Sequence, residues 1–238
     1  MLHDDTTNYN NEELLPEQEE ATESNEMATM RAKGIGGWAA MGLSVLLHPL
    51  LQPTLLFGIL FYGVEGLLPV APDVKKQFLL LITLFTFGVP MLGIYLLHLI
   101  GYVRDLHMTD RRDRIMPMVL TTAVYLAISW MFFQKGASYI VAIVMGTISV
   151  ALLLTTVISL VWKISAHAVG AGGVLGCVLM ISYVFSASYL LYPVLGLSVL
   201  LGLLLSARLY LNAHTPAQVW AGFVLGFVVA TFSTWYFL

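Results

Sequence analysis

The 238-residue chain has few charged residues. Only 11% of its positions are Asp, Glu, Lys or Arg, against about 25% in an average soluble domain, while 58% are hydrophobic. The mean hydropathy is +0.84. A soluble protein with a buried helical core would need amphipathic helices with many more surface charges, so the composition argues against that class.

Cysteine is nearly absent as well. The single Cys177 excludes an intrachain disulfide and a thiolate metal cluster, and we interpret it as a packing residue. No two histidines stand at i, i+3 or i, i+4 spacing, so neither a zinc nor a magnesium site is signalled. We therefore predict no metal and no cofactor, and one short basic loop gives no support for a nucleic-acid partner.

Lysine and arginine are missing from the first thirty positions, which hold nine of the 14 acidic residues. We predict that residues 1–33 form a disordered acidic tail. This tail lacks the basic and apolar regions of a signal peptide, so we expect it to remain on the mature chain. Residues 34–238 are predicted to form one membrane-embedded helical domain.

Long apolar runs make up most of residues 34–238. A helix needs about 17–25 apolar residues to cross a bilayer, and its backbone groups must be satisfied internally, so the runs predict helices. We predict an all-α, multi-pass bundle of six to seven transmembrane helices in the cell membrane. The first run, Gly34–Val70, is interrupted by Pro49 and Pro53. It is either one long kinked span or a short interfacial helix followed by a span from about Pro53.

Glycines recur in two of the later runs at spacings that let helix backbones approach closely. We interpret them as packing residues. They are Gly170, Gly172, Gly173 and Gly176 in one run, and Gly222 and Gly226 in the last.

Three polar segments interrupt the apolar runs, at residues 111–114, 165–167 and 208–214. An even number of predicted crossings separates successive segments, so we expect all three to meet at one face of the membrane. Arginine offers a planar fork of donors to phosphate oxygens, and histidine can act as a nucleophile or a proton donor. The sequence therefore predicts a site for a multiply charged anion, with phosphate as the first candidate.

The segment Ser165-Ala166-His167 resembles the PSGH signature of the type 2 phosphatidic acid phosphatase (lipid phosphate phosphatase) superfamily. The segment from Arg208 to His214 resembles its SR-x5-H-x3-D signature, and the likeness covers roughly residues 100–230. The resemblance implies that His214 is the nucleophile that forms a phosphohistidine and that His167 protonates the leaving alcohol. It also implies that Arg208 and Arg114 hold the phosphoryl oxygens, with Ser165 adding a hydrogen bond.

The first signature of that superfamily, K-x6-RP, is matched only in part. His107 stands where the family has lysine, and the proline arrives late, as Pro117. We expect Arg111 or Arg112 to take over the role of the lysine in binding phosphate.

Gln218 occupies the position of the family's aspartate, which orients the nucleophilic histidine. Two interpretations are open. Gln218 can accept a hydrogen bond from His214, or it can form a capping box with Thr215 at the start of the last helix. Other acidic residues near this face could serve the histidine instead: Asp105, Asp110 and Asp113.

We predict an integral-membrane phosphatase that hydrolyses a lipid phosphate monoester or diphosphate without metal. Phosphatidate, phosphatidylglycerol phosphate and isoprenyl diphosphate are all admissible substrates. The alternative is a catalytically inactive relative that binds anionic lipid headgroups or a protein partner, as Gln218 suggests.

The positive-inside rule places the site in the cytoplasm, whereas the resembled family commonly works at the external face, so orientation stays open. His48 and His98 belong to no polar segment, and we interpret them as interfacial polar residues.

Overall fold

The computed structural model describes residues 34–64, 67–68, 70–104, 112–135 and 139–238, and the predicted tail, 1–33, lies outside them. The described part of the chain is helical. Its helices are α1 (Ile35–Leu46), α2 (Gln52–Gly63), α3 (Lys75–Leu99, with a π-helical turn at Leu84–Gly88), α4 (Arg112–Lys135), α5 (Tyr139–Ser159), α6 (Ala166–Val184), α7 (Leu191–Tyr210) and α8 (Pro216–Phe237). Helices α3 to α8 are each long and apolar enough to cross a membrane, which confirms the prediction of an all-α, multi-pass membrane protein.

The first apolar run forms two short helices. Each has 12 residues and is therefore about 18 Å long, which is too short to cross a bilayer alone. At the start of α2, the Gln52 side-chain amide donates to the carbonyl oxygen of His167 at the beginning of α6. At its other end, Gly63 packs against Leu190, just before α7. Helix α2 thus starts at the end of the bundle that holds the polar segments, where the break before it also lies, and points toward the other end.

Glycines bring α6 and α8 into direct backbone contact. A Cβ added to Gly226 would overlap the carbonyl oxygen of Val169, and one added to Gly172 would overlap that of Phe223. The interpretation of these two glycines as packing residues is confirmed. Close contact also aligns the starts of the two helices, where the Ser165 N–H donates to the backbone oxygen of Gln218 at 3.3 Å.

Local capping defines where α6 and α8 begin. Ser165 caps α6, and its hydroxyl accepts from the Ala168 N–H. Thr215 caps α8 in a full capping box with Gln218, and Pro216 occupies the first helical position, where its missing N–H costs nothing. Because both starts are determined by adjacent residues, the histidines beside them are held in fixed positions at one end of the bundle.

Candidate functional site

A cavity of about 310 Å³ opens at the end of the bundle where α4, α6 and α8 begin. Five basic or imidazole side chains line it, and we call it the arginine–histidine cavity: His48, Arg114, His167, Arg208 and His214. No carboxylate belongs to its lining among the residues that the structure describes. The three polar segments of the sequence therefore do meet at one place, and that place carries positive charge.

His214 lies in the short connection between α7 and α8 and is 8% exposed. Its Nδ1 is 3.2 Å from Oε1 of Gln218. The same oxygen accepts from the Thr215 N–H at 3.2 Å, which identifies it as an acceptor. Nδ1 of His214 must therefore carry the proton, leaving a lone pair on Nε2.

The pKa of His214 is lowered to about 4, first by burial and then by the positive charge of Arg114. The hydrogen bond that Nδ1 donates to Gln218 opposes this shift only in part. At neutral pH the imidazole is therefore uncharged, and Nε2 is in the form that can attack an electrophile.

The two interpretations of Gln218 describe one oxygen with two roles. Oε1 closes the capping box at Thr215 and also holds His214. Cap and histidine partner are therefore not alternatives, because the side chain reaches both groups at once. An amide oxygen fixes the imidazole tautomer, but it lacks the charge with which a carboxylate would stabilise an imidazolium.

His167 stands on the first turn of α6. Its Nε2 is 3.1 Å from the carbonyl oxygen of Ser44 in α1, and a carbonyl can only accept, so Nε2 carries a proton. Gln52 donates to the main-chain oxygen of the same residue. The break between α1 and α2 thus holds His167 from two sides, and only its Nδ1 remains to face a ligand.

Arg208 lies on the last turn of α7 and lines the arginine–histidine cavity. Its Nε is buried and has no hydrogen-bond acceptor within the described part of the chain. A buried donor without an acceptor costs about 1–3 kcal/mol, more when it is charged. Arg114, on the first turn of α4, lines the same cavity. Two guanidinium groups thus face one space.

Lys163 is a third cation near the site, and the sequence analysis did not include it among the site residues. It lies between α5 and α6. Partial burial lowers its pKa, and the charges of Arg114 and Arg208 lower it further. This coupling places the ammonium group within the field of both arginines.

His48 is the second residue that the sequence analysis missed, and its interpretation as an isolated interfacial residue is corrected. It lies in the break between α1 and α2, where its ring meets that of His167 edge-on, with centroids 5.8 Å apart. Its Nδ1 accepts from the Leu50 N–H at 3.3 Å, so Nε2 carries the proton. Burial, and then Arg208, lowers the pKa of His48, which favours a neutral ring that donates through Nε2.

A signal for His48 was present in the sequence. A histidine followed at once by proline, inside a run broken by two prolines, marks an interruption of a membrane helix, and interrupted helices often border binding sites. His98 differs. Its Nδ1 lies 2.8 Å from the carbonyl oxygen of Val103, and it does not belong to the lining of the cavity.

The remaining predicted site residues are placed as follows. Ser165 is fully buried, caps α6 with its hydroxyl and is not among the residues that line the cavity. Arg112 begins α4, and Asp113 lies in its first turn. Arg111 falls outside the described residues, as do His107, Asp105 and Asp110.

Within the described residues, no group of three His, Cys, Asp or Glu side chains is arranged to hold a metal ion. Comparisons of the chain with protein-family models, with curated proteins and with solved structures give no match.

Proposed function

We propose that the protein is an integral-membrane, metal-independent phosphatase that hydrolyses a lipid phosphate monoester or diphosphate through a phosphohistidine. One observation carries the proposal. The same cavity contains His214, whose Nε2 is free to attack, and Arg208, whose buried Nε lacks an acceptor. A nucleophile beside an unsatisfied cationic donor is the arrangement that phosphoryl transfer requires.

In the proposed reaction, Nε2 of His214 attacks phosphorus while the bond from phosphorus to the ester oxygen breaks. Arg208 and Arg114 hold the non-bridging oxygens, and Gln218 keeps the proton on Nδ1 of His214. A water molecule then attacks the phosphorus, releasing inorganic phosphate and restoring the imidazole. Most of the catalysis comes from placing charge and donors around the phosphoryl group.

The leaving oxygen needs a proton. We assign this to His167, as the superfamily resemblance implies. Because its Nε2–H is engaged by Ser44, the transferred proton has to come from Nδ1, so His167 must take up this proton when the anionic phosphate binds. The donated proton is recovered in the second step, when the neutral ring accepts a proton from the attacking water.

The position of the cavity supports a lipid substrate. It opens where several apolar helices start or end, which is the level at which lipid headgroups lie. A phosphate attached to a membrane lipid would therefore reach the arginines without leaving the bilayer. The proposed location is the cell membrane, and the six apolar helices support a multi-pass membrane protein.

The test is release of inorganic phosphate by the purified full-length protein in lipid nanodiscs. Phosphatidate, phosphatidylglycerol phosphate and isoprenyl diphosphate serve as substrates. His214→Ala should abolish release, and vanadate should inhibit the wild type. His98→Ala is the matched control, because this histidine also lies near a helix end but is bonded to Val103 instead of lining the cavity. Release that persists in His214→Ala would contradict the proposal.

Gln218 favours a second candidate, a catalytically inactive relative that binds anionic headgroups. An amide cannot stabilise the imidazolium as a carboxylate can, and an Asp-to-Asn change in the serine-protease triad costs about 10⁴ in rate. In that case wild-type protein would bind vesicles containing phosphatidate and release no phosphate from any member of the panel. Arg208→Gln would then weaken vesicle binding.

A further inference from the structure

A second cavity, of about 90 Å³, lies deeper in the bundle between α2, α5, α6 and α8. We call it the apolar groove. Its walls include Leu56, Val144, Val174 and Ala230, one from each of the four helices. None of the residues that line it is fully exposed, but several are partly exposed, so the groove is recessed in the bundle and partly open.

The apolar groove adjoins the arginine–histidine cavity. Leu50, Leu152 and Ala166 line both spaces. Along α6 the groove extends from Ala166 to Cys177, a distance of about 16 Å at 1.5 Å per residue. The two adjoining spaces therefore have a cationic lining at the helix starts and an apolar lining toward the middle of the bundle.

Small residues keep the apolar groove open. Gly173 is the clearest case, because a Cβ added there would have its nearest neighbour, the oxygen of Gly226, at 3.9 Å. By contrast, a Cβ on the adjacent Gly172 would overlap the backbone of Phe223. Close helix packing requires a glycine at position 172 but not at position 173. The missing side chain of Gly173 leaves open space in the groove.

We propose that the apolar groove binds one hydrocarbon chain of the lipid phosphate whose phosphate group lies in the arginine–histidine cavity. The inference rests on the proposed function only in taking a lipid phosphate as ligand. Charge complementarity identifies the occupant, because a ligand that fills both spaces must be anionic at one end and apolar at the other. Apolar cavities stay dry and accept apolar molecules.

Size limits the occupant to one chain. The groove is smaller than the roughly 150 Å³ apolar cavity that accepts a benzene ring. It therefore encloses only a short segment of one chain, and the rest of that chain lies along the open side of the groove. A second chain of a diacyl lipid would stay outside, in the bilayer.

The test is photo-crosslinking of dodecyl phosphate that carries a diazirine at its chain end. Full-length protein in nanodiscs is labelled, and the modified residues are identified by mass spectrometry. We expect labelling of groove residues at the depth of Val144, Val174 and Cys177, and competition by excess vanadate. Labelling confined to lipid-facing residues such as Leu195 and Leu203 would overturn the inference.

Gly173→Leu supplies the matched perturbation, because its side chain would fill the groove from a position with open space. We expect it to reduce groove labelling at least tenfold while the protein still binds inorganic phosphate, which also reports that it is folded. Gly173→Ala should give a smaller reduction. Gly202→Leu, at an exposed position of α7 with nothing within 4 Å, should leave labelling unchanged. Groove labelling that survives Gly173→Leu would refute the assignment.

Crosslinking needs no turnover, so the two proposals fail separately. Groove labelling without release of phosphate from any substrate would support the chain site and contradict the phosphatase. Release of phosphate with labelling only at the outer surface would support the phosphatase and contradict the chain site.

Discussion

Replacing Gln218 by Glu would place a carboxylate where His214 now meets an amide oxygen. The two side chains have the same shape, so the 3.2 Å contacts to Nδ1 of His214 and to the Thr215 N–H can both be kept. An acidic residue in the first turn of α8 also interacts favourably with the helix dipole. The substitution therefore changes the charge beside the nucleophile and little else.

The size of the effect follows from hydrogen-bond energies. A bond to a charged group contributes about 1.5–3 kcal/mol, against about 0.5–1.5 kcal/mol for a neutral one. The gain of roughly 1.4 kcal/mol appears when the ring of His214 becomes positive during attack, and it corresponds to a tenfold faster step. The carboxylate should also raise the pKa of His214 above its value of about 4.

The assay is the initial rate of phosphate release by wild type and Gln218→Glu in nanodiscs, with the pKa of His214 followed by NMR titration. Thr215→Ala is the control, since it removes the cap, at about 1 kcal/mol, without removing the partner of His214. A folded Gln218→Glu protein that is no faster than wild type, with an unchanged pKa at His214, would refute the reasoning. Turnover in Gln218→Glu alone would identify the wild type as the inactive relative.

Three further substitutions test the site and its support. Arg114→Gln should raise the pKa of His214 in an NMR titration, but only part of the way to the ordinary value of a histidine, because burial lowers this pKa more than Arg114 does. The acidic limb of the pH–rate profile should therefore move to higher pH. His48→Leu should weaken phosphate binding about tenfold to a hundredfold in calorimetry, and His48→Gln, which keeps a donor, should weaken it less. Gly226→Leu should lower the thermal unfolding midpoint in detergent by forcing α6 and α8 apart, at a cost of about 1–3 kcal/mol or more, whereas Gly202→Leu should not.

The transmembrane helices could be predicted because their cause is local. A run of apolar residues long enough to cross a bilayer has to be helical, whatever surrounds it. The same holds for the helix starts at Ser165 and Thr215, where the capping residue and the N–H it accepts from are three positions apart. Counting crossings then predicted that His167 and His214 lie at one end of the bundle, and they line one cavity.

The break at residues 47–51 could not be resolved in the same way. Two prolines allow a kinked helix, an interfacial helix or an interruption, and the outcome depends on what the neighbouring helices offer. Here Ser44 and Gln52 find hydrogen-bond partners on His167, which α6 presents to them. Those partners are more than a hundred residues away in the chain, so no local pattern contains them.

The sequence by itself determined the helical membrane architecture and the common end of the polar segments, and it offered Gln218 two local partners without choosing between them. Each of these follows from hydropathy, from the even number of membrane crossings between the polar segments, or from side chains no more than four positions apart in the sequence. Tertiary structure decided that His48 joins the site and that an apolar groove adjoins the cavity. These features depend on how close distant helices approach, and that distance is set by packing at glycines such as Gly172 and Gly226.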